Sequence, residues 1–223
     1  MARTRMAQEI EIKLKIGDAS AVKRTLKRLR AQNVGAGSGR VHEWNVIFDT
    51  PQGGLAKHGQ LLRIRTETPE ADSKKRNAIR GQRTLLTFKR PVAGESAASE
   101  YSGKVPRHKV REEFELEVAD ADVLAKIFEG LGMNGWFRYE KYRTTYRLPS
   151  AAAWAKGLLI ELDETPIGTF VELEGPPTAI DRAAHELGFA PKDFIRKSYL
   201  VLYIEDCRRH SKEPRDMVFA AKK

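Results

Sequence analysis

One cysteine, Cys207, in 223 residues excludes an internal disulfide and any metal site built on several thiolates. Its setting in "YLVLYIEDC" reads as a packed helix position. Long apolar runs are also missing. No stretch of 18 apolar residues occurs, and "MARTRMAQEIEIK" meets charge where a secretory leader needs its apolar core. The expectation is a soluble, cytoplasmic protein. Histidine is scarce, and His42, His58, His108, His185 and His210 are scattered without ligand spacing, so they read as surface or packing residues. No aromatic-rich nucleic-acid signature, such as an RRM core motif, accompanies the basic charge.

That charge is a net +10, from 40 Lys and Arg against 30 Asp and Glu. It implies an anionic partner or simply solubility, and nucleic-acid binding stays open. Much of the excess lies in "ASAVKRTLKRLR", "SKKRNAIRGQR" and "CRRHSKEPRDMVFAAKK", read as a helix face, a loop and a frayed end. With 41% hydrophobic residues the chain can bury a core, and we expect one domain over residues 1–206 followed by a basic tail, 207–223. The sequence leaves the oligomeric state open, and a homodimer is compatible with it.

The segment "QEIEIKLKI" puts Ile10, Ile12, Leu14 and Ile16 on one strand face and Glu9, Glu11, Lys13 and Lys15 on the other. Glu9 and Glu11 then lie about 6.5–7 Å apart and repel. Asp18 caps a following helix with Val22, Leu26 and Leu29 on one stripe. The glycine-rich "NVGAGSG" contains GxGxG but lacks the strand before it and the Gly-Lys-Ser/Thr ending of a phosphate loop, so it reads as a linker. Strand character recurs in "HEWNVIFDT", "QLLRIRTE", "TLLTFKR", "VREEFELEV", "YEKYRTTYRL", "LLIELDE" and "GTFVELEG". Helices are expected at "DADVLAKIFEGLG", from about Ile180 to Leu187, and near Ser198 to Cys207. The expectation is eight strands and about four helices.

Period two places charge on one face of nearly every strand. Arg63 and Arg65 oppose Leu62 and Ile64; Lys89 opposes Phe88; Arg111, Glu113, Glu115 and Glu117 oppose Phe114 and Leu116. Lys141, Arg143, Thr145 and Arg147 share a row, as do Glu161 with Asp163 and Glu172 with Glu174. Structural ion-pair ladders or a solvated open sheet would produce such rows. A closed eight-stranded antiparallel barrel, α+β with helices packed outside, explains them better, because closure removes edges and leaves a lumen wide enough for one small ligand. Charges in such a lumen need neutralisation. Carboxylate clusters suit hard cations, Mg2+ or Mn2+, and these bridge phosphate oxygens. Arg63 and Arg65 offer planar forks, and Lys13, Lys89 and Lys141 offer point charges, for a metal-bound polyphosphate.

These residues resemble the CYTH domain, or triphosphate tunnel metalloenzyme, superfamily. Its Glu-x-Glu-x-Lys signature matches Glu9, Glu11 and Lys13, and the likeness continues through "LLRIR", "LLTFK", "EEFELE", "EKYR", "IELDETPIGTFVELEG" and "RKSYLVL", about residues 8 to 205. The resemblance implies a closed tunnel that binds triphosphate with divalent metal, in a family of inorganic, thiamine and RNA triphosphatases and class IV adenylyl cyclases. It assigns Glu9, Glu11, Glu172 and Glu174 to metal, with Glu113, Glu115 and Asp163 completing the acidic side. It assigns Lys13, Arg63, Arg65, Lys89, Lys141, Arg143 and Lys197 to triphosphate, Lys197 opening a helix instead of lying on a strand.

The expected activity is metal-dependent hydrolysis of tripolyphosphate, thiamine triphosphate or a nucleotide. Lys13, Glu11 and Glu172 are the candidate catalytic residues, acting on a metal-polarised water. A class IV adenylyl cyclase making cyclic AMP is the first alternative, and a non-enzymatic polyphosphate or RNA binder the second. The basic insert at 67–83 reads either as a flap over the tunnel mouth or as a disordered loop.

Overall fold

The computed structural model describes residues 4–34, 39–70, 81–92 and 107–220. Most of the glycine-rich linker, the central part of the basic insert and the loop after Val92 lie outside them, so the flap reading falls on residues not described.

The strands are β1 (Thr4–Ile16), β2 (Gln32–Asn33), β3 (Arg40–Asp49), β4 (Leu61–Pro69), β5 (Arg83–Arg90), β6 (Lys109–Val118), β7 (Asn134–Arg147), β8 (Leu159–Thr165) and β9 (Gly168–Glu174). The helices are α1 (Ala19–Arg28), α2 (Gly54–Lys57), α3 (Ala121–Gly130), α4 (Pro177–Glu186) and α5 (Tyr199–Arg209), with 3-10 turns at Ala153–Ala155 and Pro191–Asp193. Eight strands run in the order β7-β3-β4-β5-β6-β1-β9-β8, and β8 pairs back with β7, so the antiparallel barrel is closed. The short β2 adds to β7 outside that ring.

The apolar rows of the strands face out, and helices cover those of β1, β8 and β9 and part of those of β3 and β4. Ile12, Leu14, Ile160, Leu162, Val171 and Leu173 pack beneath Val22 and Leu26 of α1 and Ala179, Ile180, Ala183 and Ala184 of α4. Burying an aliphatic side chain of this kind contributes about 1.5–3 kcal/mol. Phe48 and Ile64 meet Phe128 of α3 in the same way. Caps fix where the helices start: Asp18 accepts from the Ser20 N–H at 2.8 Å, Asp120 from Asp122 and Val123, and Ser198 from Val201.

A third cluster joins Ile47, Phe137, Tyr139 and Phe170 to Tyr199 and Met217. Tyr139 and Phe170 stand two residues from Lys141 and Glu172, hence on the inner row. The barrel is apolar inside where α5 lies against it.

Besides the added strand β2, three features differ from the expected pattern. Among the described residues there are five α-helices, the additional one being the short α2 within "GGLAK". Helix α4 begins at Pro177, because proline suits the first turn where its missing N–H costs nothing. The segment after α5, read as frayed, is pinned against β7. β8 occupies only Tyr142–Tyr146 of that edge, leaving the backbone before it to pair elsewhere. There Met217 N donates to Arg138 O at 2.9 Å, Glu140 N donates to Met217 O at 3.0 Å, and the Met217 side chain is fully buried. Cys207 is buried on α5 as expected. Among the described residues no helix is long and apolar enough to cross a membrane.

Candidate functional site

The inner rows enclose a cavity of about 930 Å³. β1 supplies Glu9, Glu11 and Lys13; β4 supplies Arg63 and Arg65; β5 supplies Lys89; β6 supplies Glu113 and Glu115; β7 supplies Lys141 and Arg143; β9 supplies Glu172 and Glu174. All these candidate residues therefore share one lumen, as period-two alternation requires.

Their charges are heavily cross-linked. Lys13 Nζ lies 3.1 Å from both Glu11 and Glu172, and Lys109 Nζ donates to Glu11 at 2.7 Å. Lys89 donates to both oxygens of Glu9 at 2.6 Å and lies 3.5 Å from Glu113. Arg65 reaches Glu115 at 3.0 Å and Glu67 at 3.2 Å. Arg143 is the hub, in contact with Glu161, Glu172, Asp163 and Glu43.

Burial pushes the Glu11 carboxyl up, but Lys109 and Lys13 outweigh it and hold the group well below the usual carboxylate range. Burial likewise opposes charge on Lys13, yet Glu11 and Glu172 drive its ammonium well above the ordinary lysine value. Lys13 therefore stays protonated, which suits a point charge on phosphate and not a proton acceptor. Glu161 goes the other way: burial, reinforced by Glu172 and Asp163, pushes it up to about 8 in spite of Arg143.

Two candidates are placed differently. Asp163 is completely buried and is not part of the cavity wall. Its oxygens accept from Lys141 at 2.8 Å, Arg143 at 2.6 and 2.7 Å, and the Tyr199 hydroxyl at 2.7 Å, so it anchors cations from behind. Lys197 precedes α5, outside the cavity, and pairs with Glu205 at 2.5 Å with its side chain 53% exposed.

Other residues were not singled out from the sequence. Glu43, 2% exposed, faces Arg65 at 3.3 Å and Lys141 at 3.5 Å. A lone acid in "HEWNV" forms no doublet, although its alternation with Trp44 was a usable signal. Glu161, in the row it shares with Asp163, lines the cavity against Arg143. Lys109 stands one residue before the run read as β6. Tyr199, whose ring centroid is 5.4 Å from Lys13 Nζ, sits on a helix where strand periodicity says nothing.

Arg63 is the outlier. It is 7% exposed, and its hydrogen bonds go to the Tyr139 hydroxyl at 2.9 Å and Thr87 at 3.3 Å. Its Nε has no partner, and among the described residues no carboxylate stands within ion-pair distance of it. Arg111 repeats the pattern, donating to Gly59 O at 2.6 Å with its Nε unpartnered.

The donor set fits a hard divalent cation, because the acids are carboxylates on neighbouring strands: Glu11 is in register with Glu174, and Glu161 with Glu172. Among the described residues no three His, Cys, Asp or Glu side chains form a ready-made cage. Mg2+ is ordinarily held by one or two carboxylates together with substrate phosphates.

A family model of the CYTH domain matches residues 7–199. Among solved structures, a Pyrococcus horikoshii OT3 protein superposes with a TM-score of 0.64 at 21% identity, covering 90% of this chain and 98% of its own. A candidate adenylate cyclase from Vibrio parahaemolyticus gives 0.60 at 18% identity, over 87% and 97%. A candidate adenylyl cyclase from Hippeastrum, described as revealing a dominant triphosphatase activity, gives 0.50 at 22% identity, over 92% and 97%. No curated protein matches. At these identities the neighbours establish the fold alone, whereas the family model spans most of the sequence and agrees with the ionic lumen: the chain belongs to the CYTH domain family.

Proposed function

We propose that this protein hydrolyses a triphosphate inside the barrel with the help of Mg2+ or Mn2+. The observation that carries the reading is Arg63, a buried guanidinium whose partners are hydroxyls. A charge held out of water without a counter-ion is costly, and a phosphate oxygen would complete it. Arg65 and Arg143 would add planar forks, and Lys13, Lys89 and Lys141 would add point charges.

Glu9, Glu11, Glu172 and Glu174 would hold the cation, with Glu113 and Glu115 beside them; Asp163 is spent on its own cations. Bound Mg2+ or Mn2+ would neutralise phosphate charge and polarise the attacking water. The protein's own part is positioning and electrostatics. Lys13, fixed between Glu11 and Glu172, offers its charge where negative charge gathers on the transferring phosphoryl group. The wall around it is buried, so that charge is little screened.

A second reading, cyclisation of ATP to cyclic AMP, draws support from the candidate adenylate cyclase of Vibrio parahaemolyticus that shares the fold. Incubation with tripolyphosphate, thiamine triphosphate and ATP, each with Mg2+ or Mn2+, separates the readings. Released phosphate supports hydrolysis, and cyclic AMP supports the cyclase. Binding with neither product leaves a polyphosphate or RNA binder in their place.

A further inference from the structure

The cavity is not ionic throughout. Phe48 is in register with Leu62, and Leu61 with Lys89, so the end of β3, the start of β4 and the end of β5 meet at one end of the barrel. The wall there includes Ile47, Leu61 and Trp136, with Leu200 and Val201 of α5. Leu61 and Leu200 are half-buried against the inner apolar cluster, while Trp136 and Val201 are 47% and 40% exposed. A bare triphosphate has no apolar surface to offer this wall.

Trp136 reaches the cavity by an irregularity. Tyr139 and Lys141 point inward from β7, so strict alternation would send Trp136 outward. The pairing of β3 with β7 matches Ile47 to Phe137 but Phe48 to Gly135, leaving Trp136 as the extra residue of a bulge. Bulges re-aim side chains and recur beside binding sites. The adjoining glycine leaves room for Val46, whose Cγ1 would lie 2.9 Å from a Cβ on Gly135.

Arg63, in register with Ile47, joins this apolar end to the ionic rows. The cavity's volume of about 930 Å³ falls at the upper end of the roughly 300–1,000 Å³ typical of organic-ligand pockets. We propose that the substrate is an organic triphosphate whose planar aromatic group stacks on Trp136 at the α5 end while its phosphates extend past Arg63 into the ionic rows. This rests on the triphosphate reading and narrows its substrate class.

The test is calorimetric binding of ATP, thiamine triphosphate and tripolyphosphate, each with Mg2+, to the full chain and to Trp136→Ala and Trp136→Phe. Phosphate release from tripolyphosphate is followed in parallel. The proposal expects Trp136→Ala to weaken ATP or thiamine triphosphate about fivefold to a hundredfold, the range of a lost ring stack. Tripolyphosphate binding should stay within about twofold, as expected where the lost ring makes no phosphate contact. Trp136→Phe should recover most of the loss. Equal weakening of all three ligands, or none, overturns the shelf while leaving hydrolysis standing. If nothing binds and no phosphate is released, the triphosphate reading falls and the shelf with it.

Discussion

Arg63 and Asp163 are both buried and charged, and they should respond oppositely to replacement. Arg63 hydrogen-bonds hydroxyls only; burial opposes its charge while Tyr139 and the more distant Glu43 favour it, so its removal breaks no close ion pair. Arg63→Met is expected to melt no lower than the parent without ligand, while KM for a triphosphate rises roughly tenfold to a hundredfold, the worth of a charged hydrogen bond. Thermal scans and steady-state kinetics on the same preparation check both halves. Asp163 instead satisfies Lys141, Arg143 and Tyr199 together. Asp163→Ala takes from Lys141 its shortest ion pair, from Arg143 one of its four carboxylate contacts and from Tyr199 its acceptor, and should cost about 3–5 kcal/mol in denaturant titration. The sequence told the two apart poorly: both sit in charged rows, and neither row reveals which side chain has a partner. Doublets mark Glu9 and Glu11 in the sequence, whereas Glu43 has no acid two residues away on either side and carries no such mark, although it lies as deep.

The strands were legible because alternation is a local property of the chain, and "QEIEIKLKI" states its two faces outright. Caps were legible for the same reason at Asp18. What depends on partners distant in sequence was not. The bulge at Trp136 exists only in the pairing of β7 with β3, and the docking of Met217 needs the edge of β7 that β8 leaves uncovered. Met217, fully buried on that edge, tests the second point: Met217→Ala should lose about 2–5 kcal/mol by urea denaturation, against almost nothing for a frayed tail. The turn after β3 carries a pH dependence. Burial tends to raise the Asp49 carboxyl, but N–H groups of Leu55, Ala56 and Thr50 outweigh it and hold the group below its ordinary value. A depressed acid stabilises fully above its unfolded pKa and loses that contribution as pH falls through the folded one. Asp49→Asn should therefore lower the melting temperature near neutrality and narrow its gap to the parent under strongly acidic conditions, measured by a pH series of thermal scans.

For the molecule as a whole, closure of the sheet gives the charged rows their meaning. On an open sheet Glu11, Lys13 and Glu172 would be solvated neighbours worth little. Inside the ring they are buried, cross-linked and arranged around a space. Under the proposed function that space holds a triphosphate, and on the further proposal the apolar end marked by Trp136 would take the part of the substrate beyond its phosphates. Isothermal titration of tripolyphosphate into the protein with Mg2+, repeated on Arg63→Met, tests this most directly. One-to-one binding that needs the cation and is sharply weakened in the variant is the predicted result. Absence of binding to the folded protein, or equal binding by the variant, would contradict it.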